Sequence, residues 1–469
     1  MNEAVAGNRA LPVRLTIGVT AHRDIPPEEK AGIARLIGDL FDTLALRFPD
    51  TPLQALCPLA EGGERIFAHA AIERGIPLIV PLPMPREYYA KDFTDAASRE
   101  EFDDLCARST VFELPLRPGV KAEQVARHGE LRDSEYAQLG VFVSSHAQIL
   151  VAIWDGKHSD QVGGTAQIVR YRLHNIYPDH AVEIIPGPEG LADDENDLTY
   201  HIVCSRDRDG GIPQAPMRPF QAAWLTGGLT SNRSREMPGR YAYMFRLTEE
   251  FNRDLHHVDG VQNARSPDFP TDSEKDEQLQ GIRQTGCLFA AADYLANRFQ
   301  GLFSRALRAT YTLAALMGAA FVGYSTLPGQ QWLIYLFLAF FTLGFGLYTA
   351  GRWLEWHRKY LDYRVLAEGL RVQYYWAIAG IGNSGDGRFV YENFLQTQDP
   401  ELGWIRHVMR DITLRAVPLP DTGRPGLDFV RRHWVGDPRS VGSPGQLGYY
   451  ISKASQCYRL HRLTERLGG

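Results

Sequence analysis

Two stretches of this 469-residue sequence, 309–327 and 332–351, contain no aspartate, glutamate, lysine, arginine or histidine. Soluble helices of that length carry a charged face, so the absence argues against an ordinary buried hairpin. Cysteine is also scarce: Cys57, Cys106, Cys204, Cys287 and Cys457 are odd in number, widely spaced and without a CxxC pair. That pattern excludes a disulfide framework and a zinc ribbon and reads as reduced thiols. A basic excess is missing too, since the formal charge of −6 argues against non-specific nucleic-acid binding and leaves no expectation of a nucleic-acid duplex as partner. No apolar run precedes Leu11, so nothing at the N-terminus resembles a signal peptide. The mean hydropathy of −0.27 excludes a multi-span carrier.

The two charge-free stretches are each long enough to cross a hydrocarbon core of about 30 Å as a helix. Only Pro328-Gly329-Gln330-Gln331 separates them, which makes them antiparallel neighbours. Arg305 and Arg308 precede the first, and Arg352, His357, Arg358 and Lys359 follow the second. By the positive-inside rule both ends, and with them both termini, are expected on the cytosolic side of the inner membrane, with the hairpin as its own insertion signal. Small residues at helix-contact spacing (Ala314 with Gly318, Ala319 with Gly323, Gly346 with Ala350) allow close approach in lipid.

Upstream, β-branched runs alternate with amphipathic stretches. VRLTIGVT at 13–20 precedes a helix from about Pro27 to Arg47, and LQALCPLA at 53–60 precedes one from Glu64 to Arg74. PLIVPLP from Pro77, TVFEL from Thr110, QILVAIWDG from Gln148 and VEIIP at Val182 continue the series, with helices near 97–107, 133–144 and after Gly164. Such alternation predicts a parallel sheet covered on both faces, with ligands beyond the carboxyl ends of its strands. Three of those ends are unusual. Gly18, Thr20, His22 and Arg23 end the first, where small residues admit a ligand and Arg23 offers a fork for phosphate. Glu61-Gly62-Gly63 opens the helix after the second. Asp155-Gly156 follows the fifth, ahead of Gly163-Gly164-Thr165, a turn suited to cradling phosphate. One glycine cluster is an ordinary tight turn; three on one sheet edge favour a site.

These residues carry a resemblance. VTAHRD at 19–24, AEGGERIFAHAAIERGIPLIVPLP at 60–83, YAKDF at 89–93 and ILVAIWDGKHSDQVGGTAQIVRY at 149–171 resemble the SLOG superfamily, the SMF/DprA and LOG-like Rossmannoid domains, over roughly residues 10–190. The resemblance implies binding of a nucleotide or nucleotide-derived signal, with no other cofactor, at Gly18, Thr20, His22, Arg23, Glu61, Gly62, Gly63, Asp155, Gly156, Gly163, Gly164 and Thr165. The hydrolase members carry a glutamate three residues after the threonine; this chain has Ile168 there. An isoleucine supplies no acid or base, which favours sensing over catalysis, although Glu61, Glu64 and Asp155 retain carboxylates.

Residues 191–278 are rich in Gly, Pro, Asp, Asn and Ser and read as a loop-rich connector with one helix near 242–257. His256-His257 beside Asp254 reads as a polar helix end, since adjacent residues do not face one metal. A long helix from about Leu279 is expected to enter the first apolar stretch directly. Beyond the second, Trp353, Trp356, Tyr360, Tyr363, Ala367, Leu370 and Tyr374 form one stripe, with Glu355–Lys359 and Arg364–Glu368 as i,i+4 pairs. The hairpin, WLEWHRKYLDYRVLAEGLRVQYYW and ELGWIRHVMRDI resemble SLATT domains, two-transmembrane effectors of bacterial conflict systems, over roughly 280–469. The tail from Pro418 reads as a loop and a closing helix packed on this stalk.

The sequence thus predicts an α/β Rossmann-like, doubly wound parallel sheet over 1–190, a connector over 191–278, an all-α stalk with the two-helix membrane hairpin over 279–380, and a helical segment over 381–469. The expected function is a nucleotide-messenger-gated membrane effector of antiphage defence, acting with the bilayer as a homo-oligomer. A membrane-anchored nucleotide-processing enzyme of the N-glycosidase type is the alternative.

Overall fold

The computed structural model describes residues 10–117, 119–159, 161–174, 176, 197–227, 232–256, 277–380, 400–416, 423–436 and 445–468. The chain alternates strand and helix through β1 (Leu15–Ala21), α1 (Pro27–Arg47), β2 (Leu53–Leu56), α2 (Gly63–Glu73), β3 (Leu78–Leu82), α3 (Arg86–Tyr89), α4 (Ala96–Ala107), β4 (Thr110–Glu113), α5 (Glu130–His146), β5 (Ile149–Trp154) and α6 (Thr165–His174). It continues through β6 (Thr199–Val203), β7 (Ala222–Thr226), β8 (Asn232–Ser234) and α7 (Gly239–His256). Then come α8 (Glu277–Thr326), α9 (Trp332–Trp353), α10 (Trp356–Ile378), α11 (Gly403–Ala416), α12 (Gly423–Val430) and α13 (Gly445–Gly468). The run expected at Val182 lies outside the described residues.

Two compact units result. The α/β unit comprises Pro12–Arg253 with 269–282 and 373–469. Its eight-stranded sheet has the order β4-β3-β2-β1-β5-β6-β7-β8, parallel from β4 through β6 and antiparallel at β7 and β8. β1 and β5, at its centre, are buried along nearly their whole length, which is why both read as unbroken apolar runs. The stretch 191–278, expected to be a connector, instead supplies β6, β7 and β8, and so widens the sheet. Those strands are only three to five residues long and lie among turn-forming residues, so no run marks them.

α11 is the second departure. It is part of the α/β unit, where Leu414 joins Leu56, Ile79, Phe112, Leu150 and Ile168 in one buried cluster. Polar bonds pin it there: Arg14 N donates to Asp411 Oδ2 at 3.0 Å, Gln148 Nε2 to the His407 carbonyl at 3.2 Å, and Arg415 Nη2 to the Pro12 carbonyl at 2.6 Å. α12 and the π turn after it pack as expected, with Phe429 against Ile282, Tyr374 and Ile378, and Trp434 stacked on Tyr375. α13 meets the same π turn, and none of its described side chains is buried.

The helical unit comprises Arg283–Val372, with Asp254 among its other members. α8 is one continuous helix of 50 residues, as expected. Its Leu288, Ala291, Ala292, Leu295 and Ala296 are buried, as are Tyr363, Leu366, Ala367 and Leu370 of α10. Phe299 meets Tyr363 edge-on at 5.7 Å, and Arg364 Nη1 reaches Asp293 Oδ1 at 2.6 Å. α9 and α10 are separate helices, broken at Leu354-Glu355, where Glu355 has φ +49°. The break undoes one expected pair: Glu355 bonds Arg358, while Lys359 Nζ turns to Asp254 Oδ2 at 2.8 Å; Arg364–Glu368 forms at 2.9 Å. In the apolar windows of α8 and α9 only 6% and 0% of the residues are buried. Both helices are long and apolar enough to cross a membrane, and the low burial sets them apart from the core helix of a soluble protein.

Candidate ligand-binding site at the sheet's switch point

The strand order reverses between β1 and β5, because β2 lies on one side of β1 while the later β5 pairs on the other. The loops leaving their carboxyl ends therefore diverge and leave a crevice, the usual ligand position in an open α/β sheet. The sequence places His22 and Arg23 at one lip and Asp155 and Gly156 at the other. His22 Nε2 lies 3.1 Å from Asp155 Oδ1, off the line of a good hydrogen bond. Burial works against the Asp155 charge, yet the imidazole, the Lys157 amide at 3.0 Å and Arg206 outweigh it and hold the carboxyl below its usual range. Gly18 lies deeper, on β1, where a β-carbon would overlap Ala147 and press on Val143, so it serves helix-to-strand packing. Thr20 is buried on the same strand.

The β2 turn is stitched to the β1 turn. Gly63 N donates to the His22 carbonyl at 3.0 Å, and Gly62, at φ +79°, passes so close to the Arg23 carbonyl that a β-carbon would overlap it. These glycines therefore serve close backbone approach. Glu61 accepts a short bond from Ser98 Oγ, which also receives Arg65 Nη1 at 2.9 Å; Arg65 in turn pairs with Glu101 at 2.6 Å and covers the Phe93 ring. Glu64 is buried, its carboxylate held by the Ala60 amide at 2.8 Å. Burial raises its pKa to about 7, against the opposing pull of that amide, Arg23 and Arg65.

The Gly163-Gly164-Thr165 turn abuts the same place but is not an open cradle. Gly163, at φ +70°, is pressed against Tyr136 and Ala137 of α5; its amide donates to Gln167 Oε1 at 2.7 Å and that of Gly164 to the Gln161 carbonyl at 3.0 Å. Thr165 is buried. Ile168 is 1% exposed in the core cluster and packs on Gly140, so no acid stands there.

Four further residues complete the site. Tyr136 donates a short bond to Asp92, which Arg132 Nη2 pairs at 2.6 Å; both Asp92 and Arg132 are buried. Arg23 lies over the Tyr136 ring at 5.8 Å and only 4.0 Å from Asp92, with 48% of its side chain exposed. Asp92 is thus shared by the buried Arg132 and the half-exposed Arg23. Asp92 falls within YAKDF, a motif that also carries the resemblance; Tyr136 and Arg132 sit in α5, where no sequence pattern marks them. Arg206, fourth of these, comes from the β6–β7 loop and pairs with Asp24 at 2.8 Å, while Gln214 N donates to the Asp155 carbonyl at 2.8 Å. This loop thus lies over the β5 end. Beneath it His201 is neutral, burial lowering its pKa to about 4, and donates from Nε2 to the Trp154 carbonyl at 3.0 Å. Among the described residues no group of three or more His, Cys, Asp or Glu is placed to hold a metal ion.

No protein-family model matches the chain, and no curated protein matches it in sequence.

Proposed function

We propose that this protein is a ligand-gated membrane effector: the α/β unit binds a nucleotide-derived messenger at the β1/β5 crevice, and binding drives assembly of several copies whose hairpins breach the inner membrane, as in antiviral defence. One observation carries the reading. A single chain joins a switch-point crevice, lined by half-exposed Arg23 and the Tyr136 ring, to two membrane-length helices whose apolar windows are only 6% and 0% buried among the described residues. The resemblance to SLOG and SLATT domains points the same way. A single hairpin encloses no pore, because each helix satisfies only its own backbone, so a conducting form needs spans from several chains. Thr312, Ser325, Thr326 and Thr342, polar positions open to line one, bond back to their own helix carbonyls and so enter lipid already satisfied.

The test is dye release from liposomes holding the purified protein, titrated with cyclic oligonucleotides and ADP-ribose derivatives, with product analysis on the same samples. Release by one ligand without its turnover is the expected result. Arg23→Ala, which removes one charge-assisted contact of about 1.5–3 kcal/mol, is expected to weaken the response roughly tenfold to a hundredfold. Consumption of a nucleotide while the liposomes stay sealed overturns the reading in favour of a tethered enzyme. Glu64, whose carboxyl lies near neutrality beside the crevice, is the residue that reading would rest on.

A further inference from the structure

α13 is 24 residues long, and its described side chains are exposed or half-exposed throughout. Among its described side chains Leu447, Tyr449, Tyr450, Ile451 and Tyr458 are exposed, at 45% to 64%. Its charge is as one-sided as its exposure. Lys453, Arg459, Arg462 and Arg466 stand against a single acid, Glu465, in a chain whose total is −6. Lys453 lies over the Tyr449 ring at 5.8 Å and Arg462 over Tyr458 at 5.2 Å, so each cation is carried beside an aromatic body. Tyrosine with lysine and arginine is the composition of a helix lying in a bilayer's headgroup layer, where the ring enters the acyl boundary and the cation stays at the phosphates.

We propose that α13 is a surface-binding element for anionic lipid, lying in the headgroup layer separately from the spans. Charge decides among the occupants. A second copy of α13 would bring a like-charged helix against it, which is unfavourable. Zwitterionic lipid offers the aromatic residues a boundary but no net attraction, whereas an anionic leaflet draws each basic residue. This inference concerns lipid chemistry and does not depend on what occupies the crevice.

Cys457 makes the test direct, being exposed while Cys57, Cys106, Cys204 and Cys287 are buried. The full chain, labelled there with a polarity-sensitive dye, is reconstituted into vesicles of phosphatidylcholine alone or mixed with phosphatidylglycerol. Expected are a blue shift and protection from an aqueous quencher in the anionic vesicles only, both reversed by high salt. Charge reversal with Lys453→Glu, Arg459→Glu and Arg462→Glu, all on exposed positions, is expected to abolish both, with helix content unchanged by circular dichroism. Equal emission in the two vesicle types overturns the proposal. So does a shift that appears in detergent as protein concentration rises, which would assign the surface to a second copy.

Discussion

Gly62 ties one side of the crevice to the other through a conformation that side chains rarely adopt, φ +79°, with the Arg23 carbonyl where a β-carbon would stand. Gly62→Ala is expected to destabilise the α/β unit by about 2 kcal/mol or more, read as a lower denaturation midpoint in detergent. An unchanged midpoint would contradict the close approach. Glu64 makes a second prediction, in pH. Its carboxyl titrates at about 7 when folded, above the ordinary 4.5, because burial opposes the charge. The folded state then holds the proton more tightly, so this contribution is complete below about pH 4.5 and is lost as pH rises through 7. Between those limits the wild type should lose stability relative to Glu64→Gln, by at most about 3 kcal/mol. Glutamine keeps an acceptor for the Ala60 amide, so the comparison isolates the charge. Identical stability curves for the two proteins would place the carboxyl near its ordinary value.

At the scale of elements, α11 closes a face of the sheet. Leu414 is 3% exposed within the cluster of Leu56, Ile79, Phe112 and Leu150, so Leu414→Ala should cost about 2–4 kcal/mol, measured by the same denaturation. A cost under 1 kcal/mol would mean that α11 is peripheral to the α/β unit. This element also shows where sequence patterns stop being informative. β1 through β5 were legible because each is a run of apolar residues ended by a turn, and the hairpin because it lacks charge. α11 read as a helix, but its destination was hidden: contacts such as Arg14 with Asp411 join residues 397 positions apart and leave no periodicity. β6 to β8 were missed for the opposite reason, being too short to rise above the polar residues around them. Within the candidate site, His22, Arg23 and Asp155 were legible from their place at strand ends. The engagement of the Gly163 amide by Gln167 was not, because glycine patterns report the shape of a turn and not what fills it.

For the whole molecule, the hairpin makes a prediction of sidedness. On the proposed topology, with both hairpin ends cytosolic, Gln330→Cys in a Cys457→Ser background should react with an impermeant maleimide added outside intact cells. The native Cys457, exposed at the other end of the chain, should react only after permeabilisation. The reverse pattern would invert the topology, and labelling of Gln330→Cys only after lysis would remove the spans from the membrane. The place of α11 bears on biosynthesis as well. The chain leaves the α/β unit before Arg283 and rejoins it at Gln373, so the helix that covers Leu56 and Leu150 is made after both apolar helices. At the usual rate of translation that gap is on the order of ten seconds. Until it closes, the sheet is an unfinished domain with an open apolar face. Completion of the α/β unit is thereby made conditional on prior synthesis of the apolar hairpin, and a product that stops short of residue 403 lacks the helix that contributes Leu414 to this cluster.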